Sequence, residues 1–229
     1  MKDIAIIGNG EFPSKKSIRD FICSCDEIIF CDGAFSRFTG TDIQDTVLSK
    51  PFLVTGDLDS IDPVMKASLE AEGRLRHNPD QETNDQTKAF NLAVSRIHAD
   101  TEARINFIGA TGLREDHTIA NMGLLMDYAC HKAVSCGNIS IRMISDYCIA
   151  FPMTKSGSFA CGTGRAVSIF SPDSTLTIVS DGLEWQTSGV RFTNWWQASL
   201  NRATKETVGL QFSHPSKALV VLEFAPALL

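Results

Sequence analysis

Four short apolar runs mark the first half of the chain: "IAIIG" at Ile4 to Gly8, "EIIF" at Glu27 to Phe30, "PFLV" at Pro51 to Val54 and "RINFIG" at Arg104 to Gly109. Each meets a Gly or Asp at its end or within two residues of it. Runs of this length, apolar without alternation, predict strands covered on both faces. Helical spacing fills the intervals. In "NDQTKAFNLAVSRIHA", Phe90, Ala93, Val94 and Ile97 form one apolar stripe. Asn84 or Thr83 is placed to cap that helix, and Asp85 suits the positive end of its dipole. "HTIANMGLLMDYA" gives a second stripe, Ile119, Met122, Met126 and Ala129, with His117 and Asn121 four apart on another face. Strands alternating with helices predict an α/β domain with a mostly parallel sheet between helical layers.

The pattern changes after about Ala150. "GRAVSIFS", "TLTIVS", "GVRFTN", "ETVGLQFS" and "KALVVLEF" are short β-branched segments separated by Gly, Pro, Asp and Asn, with no helical stripe. They predict a small antiparallel β-domain, a sandwich or barrel. "MTKSGSFACGTG" is the expected junction, so the domains are read as residues 1–152 and 153–229. The chain of 229 residues is 43% hydrophobic, enough for a sizeable core. A net charge of −6 argues against a nucleic-acid binder, although a divalent cation can still carry a phosphate-bearing substrate. The seven cysteines include no C-x-x-C pair, which removes the usual zinc spacing; they read as reduced thiols of a cytoplasmic protein, several of them in the core. The apolar run at the N-terminus breaks at Gly8, too early for a signal peptide, and no stretch reaches the roughly 20 residues of a membrane span.

Polar clusters fall where the strands end, the edge at which open α/β sheets bind ligands. In "VTGDLDSID", Gly56 permits a tight turn that aims Asp57 and Asp59 at one point. Carboxylates are the hard oxygen ligands of magnesium, though a solvated acidic turn has the same spacing. "GATGLREDH" sets Thr111 between glycines, a backbone able to approach phosphates, with Arg114 as a bidentate phosphate ligand and Asp116 just before a helix. A strand–turn–helix junction with an ordinary cap also explains the glycines, and a structural role is the better reading of His117 taken alone. "CDGAFSR" places Asp32 and Gly33 at a strand end, where a capped turn is the plainer account. "DQETNDQTKA" contributes Asp80, Asp85 and Lys88; a charged helix start is the plainer account of Glu82, whereas the three partner clusters favour a functional role for Asp85.

Taken in order, D-G-x, G-D-x-D-S, D-x-x-x-x-D-x-x-K-A and G-A-T-G-x-R-x-D-H-x-x-A-N resemble the motifs of thiamine pyrophosphokinases over nearly the whole chain. "NGE" at Asn9 to Glu11 resembles the start of the bacterial members. The resemblance implies transfer of the pyrophosphoryl group of ATP to thiamine, with Mg2+ as cofactor and AMP as the second product. It implies Asp57, Asp59 and Asp85 around the metal, and Asp116 near them as the fourth catalytic acid. Asp32, Gly33, Ser60, Lys88, Thr111, Gly112, Arg114, His117 and Asn121 would hold the nucleotide. It also implies a homodimer whose β-rich domain helps bind thiamine. Trp185, Trp195, Trp196, Ser199 and Asn201 are that domain's candidates, and their separation along the chain from the phosphate-handling residues leads to the expectation of a thiamine site shared between subunits. "SDGLEW" is similar to the family's G-L-x-[YW] strand, and "QASLNRA" stands where G-I-S-N-E is common, with Leu200 at the usual Ser and Arg202 at the usual Glu. At least one of the three tryptophans is expected to pack the domain core instead. Two other readings compete: a nucleotide-sugar transferase using "GDLDS" as its metal motif, which leaves "GATGLREDH" unexplained, and a catalytically silent thiamine-binding protein.

Overall fold

The computed structural model describes residues 1–59 and 61–229. They divide into two compact units: residues 1–121 with 132–146, and residues 122–131 with 147–229. The first unit holds six strands, β1 (Lys2–Ile7), β2 (Glu27–Cys31), β3 (Phe52–Gly56), β4 (Leu75–His77), β5 (Ala103–Ile108) and β6 (Ile139–Ile144). They pair in parallel in the order β6-β5-β1-β2-β3-β4, with Ile6 opposite both Ile29 and Phe107. Every residue of β2 and β3 is buried, so both faces at that part of the sheet are covered. Phe30 is the centre of an aromatic cluster with Phe35, Phe38 and Phe52, at ring separations of 5.2, 4.9 and 6.1 Å.

The crossovers are α1 (Lys16–Ser24), α2 (Ala34–Phe38), α3 (Gln44–Leu48), α4 (Pro63–Ala71), α5 (Asp85–Ser95), α6 (Glu115–Tyr128) and α7 (Lys132–Ser135). Asp62 caps α4, its carboxylate accepting the Val64 and Met65 amides, and Pro63 occupies the first helical position. Asn84 caps α5 by accepting the Thr87 amide. From β1 the chain moves outward through β2, β3 and β4, then returns to β5 and β6 on the other side. The strand order therefore reverses between β1 and β5, which opens a crevice at their carboxyl ends.

Two strands of this sheet carry no apolar run. β4 is three residues long and largely exposed. β6, "ISIRMI", is interrupted by Arg142, which is nevertheless buried: its Nε donates to Asn106 Oδ1 at 2.7 Å and its guanidinium lies 5.2 Å from the Phe21 ring centre. Burial lowers the Arg142 pKa to about 10. The expected stripe on α6 is corrected. Ala129 of the stripe is buried and Met122 and Met126 are half-buried, but Ile119 is 63% exposed, and the residues buried within the helix itself are Leu125 and Tyr128.

The second unit contains two antiparallel sheets. One runs in the order β11 (Ala198–Arg202), β9 (Ala166–Phe170), β13 (Ala218–Glu223), β7 (Cys148–Met153). The other runs β10 (Ile178–Asp181), β12 (Thr207–Phe212), β8 (Gly157–Ala160). Val167, Ile169, Val220 and Leu222 of the first sheet share one core with Ile178, Val208 and Leu210 of the second, which makes a sandwich. β8 lies inside the "MTKSGSFACGTG" stretch. "GVRFTN" is not a strand: Phe192 enters the core, but the backbone is satisfied locally, with the Val190 amide on the Thr187 carbonyl and the Asn194 amide on Gln197 Oε1. Cys25, Cys31 and Cys161 are buried free thiols. Among the described residues no helix is long and apolar enough to cross a membrane.

Candidate active site at the carboxyl edge of the sheet

The loops after β1 and β5 are zipped together by their backbones. Gly8 N–H donates to the Ile108 carbonyl at 2.8 Å, Gly10 to Gly109 at 2.7 Å and Glu11 to Thr111 at 2.8 Å. A Cβ on Gly10 would stand 2.6 Å from the Gly109 oxygen, so this approach requires glycine. A cavity of about 390 Å³ opens here. Buried Cys31, Gln86 and Ala110 form its deep wall, and exposed Arg37, Arg114 and His117 its rim. Burial pushes the Cys31 thiol well above its ordinary range, so it stays neutral.

The acids gather around Gly56. Carboxylate oxygens of Asp32, Asp57 and Asp59 lie within 4.8 Å of one another. Asp32 is buried at the end of β2, while Asp57 is half-buried and Asp59 exposed. A Cβ on Gly56, at φ +151°, would stand 2.8 Å from Asp32 Cβ and 3.2 Å from Asp85 Oδ1. The bare glycine lets Asp85 share this space from the first turn of α5. Lys88 is buried one turn on, with Nζ 3.1 Å from Asp85 Oδ1. A buried ammonium needs such a partner, and in return it sets a positive charge beside the acids. Gln81 Nε2 donates to Asp57 at 3.2 Å and holds that carboxyl below its usual pKa. Asp80 accepts the Glu82 amide and the Thr83 hydroxyl, ordering the loop before α5.

Asn121 is a bracket. Its Nδ2 donates to the Ala110 carbonyl at 2.8 Å, its Oδ1 accepts Asn84 Nδ2 at 3.0 Å and its backbone carbonyl accepts Gln86 Nε2 at 3.2 Å. It thus ties the β5 loop, α5 and α6 to one another. Gly112 N–H donates to Thr118 Oγ1 at 3.2 Å, and the Thr111 carbonyl is taken by Glu11. Arg114 and Asp116 form an exposed bidentate pair at 2.5 and 3.1 Å. The guanidinium holds the Asp116 carboxyl down at about 2.

Of the residues expected from sequence, Asp85, Gly112, Arg114, His117 and Asn121 line the crevice. Asp32, Asp57 and Asp59 form the acid cluster beside it, with Lys88 on Asp85. Gly33 is buried next to Asp32, and Thr111 joins the zipped loops. Asp116 sits on Arg114 and is not part of the three-carboxylate group. Ser60 lies outside the described residues. The sequence reading passed over Arg37, whose Nε donates to Asn9 Oδ1 at 2.6 Å, and Gln81 and Gln86. The available signal was position: all three fall in the quoted "CDGAFSR" and "DQETNDQTKA" clusters.

In the second unit a cavity of about 170 Å³ brings Trp185, Ser199 and Asn201 together with Leu200 and Gln197. Trp195 and Trp196 are not among its lining residues. Asn201 is buried, and its amide is spent on its surroundings: Nδ2 donates to the Trp185 carbonyl at 2.6 Å, while Oδ1 accepts the Trp185 and Arg202 amides. It fixes the backbone that presents Trp185. The expectation that a tryptophan packs the core is corrected: Trp185, Trp195 and Trp196 are 56%, 53% and 52% exposed, and branched aliphatics with Phe192 fill the sandwich.

Two family models match. The thiamin pyrophosphokinase catalytic domain covers residues 18–136 and the thiamin pyrophosphokinase substrate-binding domain covers residues 149–220. The chain belongs to the thiamin pyrophosphokinase family. Thiamine pyrophosphokinase 1 of Oryza sativa subsp. japonica is 28% identical over 149 residues, spanning 59% of this chain and 52% of that protein. Thiamine pyrophosphokinase 3 of the same organism is 28% identical over 167 residues, 67% and 59% of the two chains. The chain thus spans a little over half the length of these relatives. The fold is that of thiamin pyrophosphokinase from Candida albicans, with TM-score 0.79 and 16% identity over 98% of this chain and 89% of that one. The Bacillus subtilis thiamine pyrophosphokinase structure aligns with TM-score 0.71 and 17% identity over 97% and 98%. Membership of this family leaves the nucleotide-sugar transferase reading without support.

The Arg114–Asp116 pair sets a pH expectation. Asp116 is depressed in the folded chain, so the pair is intact above the ordinary carboxylate pKa of 3.8 and is lost as pH falls through about 2. In Arg114→Ala the Asp116 midpoint rises toward 3.8, as followed by carbon-detected NMR titration of the carboxyl. An unchanged midpoint means that the guanidinium is not the cause.

Proposed function

We propose that this chain transfers the pyrophosphoryl group of ATP to the hydroxyethyl oxygen of thiamine, giving thiamine diphosphate and AMP. The observation that carries the reading is the crevice at the strand-order reversal, with three carboxylates at one side and cationic groups on its rim, in a chain of this family.

The residues fit a magnesium ion. Asp32, Asp57 and Asp59 offer hard oxygen donors close enough for one small cation, and Gly56 keeps the space between them and Asp85 clear. When bound there, magnesium neutralises phosphate charge and polarises the phosphoryl group under attack. The chain's own groups do the rest. Arg114 exchanges Asp116 for phosphate oxygens, Arg37 adds positive charge at the rim, His117 offers a ring nitrogen there, and Lys88 holds Asp85 in place. The thiamine oxygen bonds to the β-phosphorus of ATP. The bond from that phosphorus to the oxygen bridging it to the α-phosphorus breaks, and AMP leaves with the electron pair. The alcohol's proton passes to a carboxylate of the site and then to water. Positioning and charge neutralisation supply most of the acceleration in such a transfer.

The parallel unit is then the ATP- and Mg2+-handling domain and the sandwich the thiamine-binding domain, near the 1–152 and 153–229 division read from sequence. The exposed Trp185 face offers an aromatic platform for the pyrimidine ring. The buried free thiols support a cytoplasmic setting.

The test is incubation with thiamine, ATP and magnesium, with the nucleotide products resolved. AMP and thiamine diphosphate are expected in equal amounts. ADP with thiamine monophosphate overturns the reaction, and binding of thiamine without turnover returns the chain to a silent binding protein. Asp57→Asn is expected to lose at least about 100-fold in turnover at saturating magnesium while keeping its thermal midpoint; near-normal turnover makes the acids a solvated turn.

The working unit is proposed to be a homodimer with a thiamine pocket shared between subunits. The support is the division along the chain, with all phosphate-handling candidates before Met122 and Trp185, Ser199 and Asn201 after Ser180. Asp57→Asn and Asn201→Ala chains, each impaired alone, should regain activity when mixed under subunit exchange. Heterodimers as inactive as their parents place the pocket within one chain.

A further inference from the structure

The turn that presents Asp57 and Asp59 needs its own support. Leu58, between them, is in the left-handed conformation with φ 62°, a region bulky residues rarely adopt, and its side chain is buried. Burial anchors the Leu58 side chain but leaves its carbonyl to be satisfied elsewhere. That carbonyl accepts a hydrogen bond from Lys66 Nζ at 3.0 Å. Lys66 lies one turn into α4, whose start is pinned by Asp62 and Pro63. The lysine therefore joins a fixed helix to the carbonyl of the residue held between two acids, and sets a second positive charge, besides Lys88, near the acid cluster. Its side chain borders a groove of about 250 Å³ shared with Leu58, Glu70, Leu75 and His77, so it can be changed without filling or emptying the core.

We infer that Lys66 is a positioning residue for the divalent-cation site: through the Leu58 carbonyl it fixes the directions in which Asp57 and Asp59 point. This rests on the magnesium reading given above. Lys66 touches no substrate, so its removal weakens the hold on the ion and leaves the chemical step little changed once the ion is bound. Groups that orient metal ligands from behind typically account for about 10- to 100-fold in metal affinity.

The test is manganese binding to the full chain, followed by electron paramagnetic resonance of the free ion, for the wild type, Lys66→Met, Lys66→Arg and Asp57→Asn. Lys66→Met is expected to bind manganese about 10- to 100-fold more weakly. Its apparent magnesium constant in turnover should rise by a similar factor, with kcat at saturating magnesium close to wild type. Lys66→Arg, which keeps a donor and the charge, should recover most of the affinity. If the methionine variant is not recovered folded, Lys66→Gln serves the same comparison. Wild-type affinity in a folded Lys66→Met or Lys66→Gln chain, while Asp57→Asn loses the ion, overturns the role of Lys66 alone. Failure of the wild type to bind manganese overturns both this inference and the magnesium reading beneath it.

Discussion

Everything at this site follows from the repulsion among carboxylates brought around one glycine. Two unit charges about 4 Å apart repel by about 1 kcal/mol in water and about 4 kcal/mol near a protein surface, and Asp32, Asp57 and Asp59 stand within 4.8 Å of one another. The carboxylates themselves add nothing to the core in exchange: Asp57 is only half-buried and Asp59 is exposed. The fold tolerates the cluster through local compensation: Lys88 against Asp85, Gln81 on Asp57 and Lys66 behind the turn. Each compensation comes from a different element, α5, the loop before it and α4, so the acid cluster sets requirements on a large part of the parallel unit. The divalent cation proposed for this site would remove the remaining repulsion at its source.

Backbone strain marks the same places. Among the described residues, the non-glycine residues with positive φ are Leu58, Leu113 and Leu200. They fall in "GDLDS", "GATGLRED" and "ASLNR", the motifs that carry the acids, the crevice loop and the second cavity. Left-handed leucine costs of order 1–3 kcal/mol and persists only where the surroundings enforce it. At Leu200, which is 85% exposed, burial cannot be the reason; the enforcement comes from the irregular register of β11 and from Ser168 Oγ accepting the Leu200 amide.

What the sequence made legible was whatever a single strand or turn encodes. β1, β2, β3 and β5 show as apolar runs because both faces are covered, and Asn84 shows as a cap because it lies next to the helix it starts. β6 was hidden because Arg142 is satisfied by Asn106 from another strand, a partner no local window reveals. "GVRFTN" misled in the opposite direction: its alternation is genuine, with Phe192 in the core and Val190 packed against it, but its backbone joins no sheet. The acids were legible as a group, while their neighbours were assigned by motif alone. Asn121 and Asn201 are engaged in holding other segments, and Asp116 is engaged by Arg114. Those arrangements depend on tertiary distances, so spacing could name the residues without giving their tasks.

The claim that the carboxylates around Gly56 form a cation site is tested most directly by anomalous diffraction from crystals soaked in manganese, standing in for magnesium. The account predicts one strong peak at about 2.1 Å from carboxylate oxygens of Asp32, Asp57 and Asp59, absent from Asp57→Asn crystals soaked alongside. A peak elsewhere, or none at this cluster while nucleotide still binds in the crevice, contradicts it.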